Sequence, residues 1–214
     1  MTGKSIDRRR SAGALLLAAV VLAVGMTAGC GGEDSGGRSG AKPAELTILF
    51  SNDLLGMIRS CGCTVEDTGG LARRTTYIKK IRESAPNLLV LDAGDAFSLD
   101  LGYTKNEAEM TIESFGVMGV DVFTPGEMEF IFGLPFIENL AANSGVDFLL
   151  ANVVYEETGE PVFGERYVVR ELKGGLRVGI TGVLDEMVRF PSYIDRSAFR
   201  VEPAEETLEA LIPD

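Results

Sequence analysis

The chain has no histidine and no tryptophan in 214 residues, and only three cysteines. Without histidine it lacks the side chain most often used for proton transfer near neutral pH, and the commonest metal ligand. No run of Lys and Arg with interleaved aromatics occurs, and the formal net charge is −12. So acidic a chain repels nucleic acid and anionic membrane surfaces, so a nucleic-acid partner is not expected. Long hydrophobic runs are also scarce. The one apolar stretch of note, Gly13 to Val24, is too short to span a bilayer comfortably.

That stretch follows Lys4 and Arg8-Arg9-Arg10, the charge pattern of a targeting segment. It leads into Thr27-Ala28-Gly29-Cys30, which resembles a bacterial lipobox, although an aliphatic residue usually stands at the Thr27 position. The alternative is an ordinary secretory signal cleaved near Gly29. On the lipobox reading, residues 1–29 are a lipoprotein signal peptide, and an acylated Cys30 supplies the membrane anchor. Residues 30–44 then form a flexible tether, rich in Gly, Ser and charge, with no large apolar residue from Gly31 to Pro43. Residues 45–214 form one domain on an exported lipoprotein facing the periplasm or the cell exterior. Without residues 1–29 the chain keeps 16 basic and 31 acidic residues, a net −15. Two cysteines remain, Cys61 and Cys63, the even number expected outside the cytoplasm.

Short apolar, β-rich runs at Leu46–Ser51, Leu88–Leu91, Val120–Phe123 and Phe148–Ala151 read as buried strands, each ending in a polar or glycine-containing turn. Helical patterns lie between them at Leu71–Ser84, Glu107–Met118 and Pro135–Asn143. This alternation predicts an α/β fold with a mainly parallel central sheet. Tyr167–Leu172 and Leu176–Val183 flank Lys173-Gly174-Gly175 and read as a hairpin. Pro203–Leu211 reads as a helix, with Glu205 and Glu206 in its first turn.

Polar motifs follow the strands. Ser51-Asn52-Asp53-Leu54-Leu55-Gly56 follows the first, Asp92-Ala93-Gly94-Asp95-Ala96-Phe97 the second, and Thr124-Pro125-Gly126-Glu127-Met128-Glu129-Phe130 the third. Together with Gly69-Gly70-Leu71-Ala72-Arg73-Arg74, they resemble the N-terminal metallophosphatase domain of the 5'-nucleotidases, within the calcineurin-like phosphoesterases. The resemblance covers roughly residues 45–185 and implies a metallophosphatase sandwich whose C-terminal part is truncated in this chain. That family has Asp-x-His-Gly, Gly-Asp and Gly-Asn-His-Glu at these places. The resemblance implies that Asp53 and a histidine bind one metal, that Asp95 bridges two, and that an asparagine at the Glu127 position binds the other. Here Leu55 replaces the histidine, Glu127 replaces the asparagine, and Met128 replaces the histidine that assists the leaving group.

A dinuclear centre needs many ligands to hold two cations and activate a bridging water. Leu55 cannot ligate and Met128 cannot transfer a proton. Asp53, Asp95 and Glu127 lie just past strand ends, where ligands gather in open α/β sheets. They remain able to form a degenerate site for one divalent cation such as Ca²⁺, Mg²⁺ or Mn²⁺. The other reading of Asp53 and Asp95 is structural, as acceptors for nearby backbone N–H groups. Free nucleotides would be repelled unless a bound cation offset the acidic field.

Cys61-Gly62-Cys63 lies in the loop between the first strand and the first helix. Three roles stay open for it. One is a loop disulfide or spectator pair, with Gly62 permitting the turn. Another is a redox-active pair working with a thiol redox partner, since a strained disulfide is more easily reduced. The third is a soft-metal site with Asp53 or Asp95. The motif is similar to one in a branch of 5'-nucleotidase-like lipoproteins and selenoproteins, which implies thiol chemistry. Arg74 reads as a side chain snorkelling at the edge of a core, with an anionic group in the pocket as the alternative. Met110, Met118 and the phenylalanines at 115, 123, 130, 132 and 136 read as packing. The function expected is a degenerate phosphoesterase without dinuclear hydrolysis, with a thiol redox or metal-binding role through Cys61 and Cys63. The alternatives are a residual metal-dependent nucleotide or phosphoester hydrolase, or a non-catalytic binding protein.

Overall fold

The structure is a computed structural model and describes residues 45–60, 62 and 69–212. Strand β1 (Thr47–Ser51), β2 (Leu88–Asp92), β3 (Val122–Phe123) and β4 (Asp147–Phe148) pair side by side, in that order, as a parallel sheet. The register sets Ser51 beside Asp92, Asp92 beside Phe123, and Phe123 beside Phe148. All four strands therefore stop at one level, and the segments that follow them are delivered to one edge. The predicted α/β class with a parallel sheet is the class observed.

Helix α1 (Leu71–Ser84), α2 (Lys105–Met118) and α3 (Leu134–Ser144) fall between the strands. Thr104 starts α2 with a capping box, its hydroxyl accepting from Glu107 N–H at 3.3 Å while the Glu107 carboxylate accepts from Thr104 N–H at 2.8 Å. Each helix turns an apolar side to the core: Leu71 and Ile78 on α1, Ile112, Phe115 and Met118 on α2, Ile137 and Leu140 on α3. The core they share with the sheet is strongly aromatic. Phe123 meets Phe115 and Phe148 edge to face, with ring centroids 5.4 and 5.0 Å apart.

A second layer follows. Strand β5 (Val153–Tyr155) pairs antiparallel with β8 (Phe199–Val201), and β6 (Tyr167–Glu171) with β7 (Arg177–Thr181) as the predicted hairpin. Helix α4 (Ala204–Leu211) closes the described chain. The fully buried Asn152 ties together the segments next to β5, β7 and β8, donating from Nδ2 to Leu184 O at 2.7 Å and Glu202 O at 2.8 Å. Among the described residues, no helix is long and apolar enough to cross a membrane.

Several boundaries need correction. β3 begins at Val122 and not Val120, because Val120 N–H closes the end of α2 by donating to Phe115 O at 2.9 Å. β4 covers only Asp147 and Phe148, because Ala151 N–H has already turned to Gly182 O of the second layer, at 2.7 Å. Strands β5 and β8 are too short for a periodic signal. Met110 is 45 % exposed on the outer face of α2 and does not pack in the core.

Candidate functional site

The loops after β1 and β2 continue the strand ladder beyond the sheet. Ala93 N–H donates to Ser51 O at 2.8 Å, Asp53 N–H to Gly94 O at 2.9 Å, Leu55 N–H to Asp95 O at 3.0 Å, and Gly56 N–H to Ala96 O at 2.9 Å. Three non-glycine residues in these loops adopt left-handed backbone: Asp53 at φ 52°, Leu55 at φ 50° and Asp95 at φ 53°. Each such conformation costs roughly 1–2 kcal/mol, and strain of this kind concentrates at functional sites. Leu55 accepts that strain with a side chain that is 45 % exposed and carries no donor or acceptor.

Asp92, at the end of β2, is enclosed. Its Oδ2 accepts from Ser51 Oγ and Arg74 Nη2, each at 2.8 Å, and its Oδ1 accepts from Gly94 N–H at 3.1 Å. Burial raises its pKa above the ordinary carboxylate value, with Arg74 and the hydrogen bonds pulling the other way. The Arg74 guanidinium also lies 4.7 Å from the centre of the Phe115 ring. The snorkelling reading of Arg74 is thus corrected. α1 starts close enough to the end of β2 for Arg74 to form an ion pair with Asp92, whose side chain is 1 % exposed.

The third loop turns at once into a 3-10 helix, Glu127–Phe132, which the sequence pattern does not announce. Phe130 anchors it, stacking on Phe199 at 4.9 Å and meeting Phe190 at 5.6 Å. Beside it, Glu129 is completely buried. Its Oε1 accepts from Ala96 N–H at 2.8 Å and Phe97 N–H at 3.1 Å, and its Oε2 from Asp95 N–H at 3.0 Å and Gly126 N–H at 2.7 Å. Burial pushes the Glu129 carboxyl up to about 8, against backbone N–H groups that favour the anion.

Asp95 and Glu127 face one another across these loops. Burial, the charges of Glu127 and Asp53, and a hydrogen bond between the Asp95 and Glu127 carboxyl groups push Asp95 up to about 6. A long bond from Met128 N–H at 3.4 Å pulls the other way. Like charges this close disfavour ionisation of both groups, so the pair marks a place where positive charge would be stabilised. The loops fit closely here. A Cβ on Gly126 would lie 2.1 Å from Asp95 Oδ1, and one on Gly94 would lie 2.5 Å from Gly126 N. The charge of Asp53 also acts on Asp95, and its Oδ2 accepts from Asn52 Nδ2.

The sheet thus brings Asp53, Asp95 and Glu127 to one edge. Among the described residues, however, no three His, Cys, Asp or Glu side chains are grouped to hold a metal ion. Leu55 offers no oxygen or nitrogen where the resemblance implies a metal ligand, and Met128 none where it implies a proton donor, so these two positions do not supply what a dinuclear centre uses. Cys30, Cys61 and Cys63 lie outside the described residues. Sequence reasoning missed Asp92 and Glu129 as parts of the site. The signal for Glu129 was available, as a carboxylate set within the apolar run Met128-Glu129-Phe130-Ile131-Phe132.

No family model matches the chain. It is 29 % identical over 165 residues to the 5'-nucleotidase of Rattus norvegicus, a match covering 71 % of this chain and 28 % of that protein. The structure of a 5'-nucleotidase precursor from Thermus thermophilus superimposes with a TM-score of 0.63 at 22 % identity, over 78 % of this chain and 33 % of that one. The calcineurin-like phosphoesterase YfkN from Bacillus subtilis superimposes with the same TM-score at 25 % identity, over 78 % of this chain and 57 % of that one. The fold is that of the calcineurin-like phosphoesterases, which these structures share with this chain. More narrowly, its sequence and fold are similar to those of 5'-nucleotidases. The chain spans just over a quarter of the length of the rat relative.

Proposed function

We propose that this chain is an exported, lipid-anchored 5'-nucleotidase-like domain that does not carry out two-metal phosphoester hydrolysis. Its carboxylate edge takes at most one hard cation, and its remaining chemistry is thiol redox at Cys61 and Cys63. The observation that carries the reading is Leu55. Its backbone holds the strained φ of 50° and the 3.0 Å bond to Asp95 O that place a residue at the mouth of the edge, yet the residue is a hydrocarbon. Met128 removes the proton donor from the facing loop in the same way.

The Cys-Gly-Cys motif supports the redox component. Two thiols closing to a disulfide release two electrons and two protons, which pass to the disulfide of a thiol redox partner. The pattern from Lys4 to Cys30 supports export and anchoring.

The test is hydrolysis of AMP and p-nitrophenyl phosphate by the purified chain with Mn²⁺ or Zn²⁺. No turnover above the metal-only background is expected. Turnover that disappears in Asp95→Asn would overturn the reading in favour of a residual hydrolase. That second reading draws on Asp53 and Asp95 standing in the implied metal positions, and on relatives named 5'-nucleotidase. Thiol titration with and without reductant tests the redox role, which fails if both thiols stay unreactive across accessible potentials. Labelling with a fatty-acid probe, expected in the native chain and absent in Cys30→Ser, tests the anchor.

A further inference from the structure

Glu129 lies outside the set of residues that the resemblance makes metal ligands, and it is the most deeply buried carboxylate at the edge. Its two oxygens do different work. Oε1 accepts only from the loop after β2, through Ala96 and Phe97 N–H. Oε2 straddles two loops, accepting from Asp95 N–H at 3.0 Å and Gly126 N–H at 2.7 Å. Those loops carry Asp95 and Glu127. The loop after β1, which carries Asp53, is fastened in turn to residues 94–96 by three backbone bonds of 2.9–3.0 Å.

The geometry points to Glu129 as the positioning residue for all three candidate ligands at once: directly for Asp95 and Glu127, and through the backbone of residues 94–96 for Asp53. The ionised form suits this task because it presents acceptors only, and the four N–H groups that converge on it favour that form against the burial that opposes it. A glutamine would turn an NH₂ group toward N–H donors and lose one side of the clamp. The backbone frame of the edge is therefore held by a side chain that needs neither Leu55 nor Met128 to be histidine. This explains how the frame persists beside replaced ligand positions. The inference deepens the single-cation reading above and depends on it only for the metal readout.

The experiment is amide hydrogen exchange on the full chain and on Glu129→Gln, with far-UV circular dichroism to verify folding. In the variant, the amides of Asp95, Ala96, Phe97 and Gly126 should exchange at least tenfold faster. Those of Leu55 and Gly56, which do not touch Glu129, should follow them, while the amides of α2 stay unchanged. Loss of protection confined to the four direct donors, with Leu55 and Gly56 unmoved, would overturn the inference. If Glu129→Gln does not fold, the native chain decides the matter. There the six amides should open as one unit with a common denaturant dependence, and independent opening of Leu55 and Gly56 would refute it. Mn²⁺ titration separates the two proposals. Binding that is lost in Asp95→Asn and at least tenfold weaker in Glu129→Gln supports both. Native protein that ignores Mn²⁺ ends the single-cation reading and leaves the exchange result to judge Glu129.

Discussion

Replacing Arg74 by methionine keeps the aliphatic stem and removes the charge from Asp92. The Asp92 side chain is 1 % exposed and that of Arg74 18 %, so the variant leaves a carboxylate buried with only Ser51 Oγ and Gly94 N–H for company. Breaking a buried pair by removing one partner costs about 3–5 kcal/mol. The two surviving hydrogen bonds argue for the low end, about 3 kcal/mol. Losing the guanidinium over Phe115 adds about 1 kcal/mol. The pH dependence separates the two parts. Asp92 already sits above its ordinary value through burial, and losing Arg74 raises it further. A carboxyl with a raised folded-state pKa contributes stability that is full below the unfolded value and is lost as pH rises through the folded one. The deficit should therefore be about 4 kcal/mol near pH 8 and shrink toward about 1 kcal/mol as pH approaches the unfolded Asp value of about 3.9. Urea unfolding of native chain and variant between pH 4.5 and 8.5 measures it. Arg74→Met with Asp92→Asn should recover most of the charge-dependent part. A deficit independent of pH, or a double variant no more stable than the single one, would refute the argument.

Glu127→Gln removes one of the charges that push Asp95 up to about 6. Asp95 should titrate lower, and the variant should gain on the order of 1 kcal/mol at pH 7, after allowance for solvent screening, with little gain near pH 4. Denaturation at the two pH values tests this, and an equal difference at both would count against it. Gly126→Ala would set a Cβ 2.1 Å from Asp95 Oδ1 and so drive that carboxylate from Glu127. Its titration, followed by carbon-13 NMR, should drop toward the ordinary Asp range, and an unmoved titration would contradict the close packing described. Thr104→Ala removes the hydroxyl that caps α2 and should cost about 1 kcal/mol in a melting experiment, with no change at the carboxylate edge.

The frame was legible because it rests on periodicity and order. Apolar runs spaced by helical patterns predict β1, β2 and the first three helices to within a few residues, and α1 within the same bounds. A parallel sheet then requires that the segments after its strands share an edge, which is why Asp53, Asp95 and Glu127 lie along the same one. Partnership was not legible. Arg74 reads as an edge residue from its helix position alone, because nothing in the spacing tells that Asp92, 18 residues on, ends its strand beneath it. The 3-10 helix was hidden because its short apolar run also fits a strand or a buried turn.

The same contrast explains why the edge can keep its geometry while its side chains change. The implied ligand and proton-donor positions depend on side-chain identity, and two of them are here Leu55 and Met128. The frame depends on backbone hydrogen bonds, on glycines at 94 and 126 that admit close approach, and on one buried glutamate. Glycine at these places is required by contact distance, whatever ion is bound. Glu129 is required by the N–H groups that the turns would otherwise leave unpaired. On the function proposed above, Leu55 and Met128 remove chemistry without unfolding the scaffold. Substitution at Gly126 or Glu129 should disturb the scaffold first, and a series of single variants ordered by unfolding midpoint would display that separation directly.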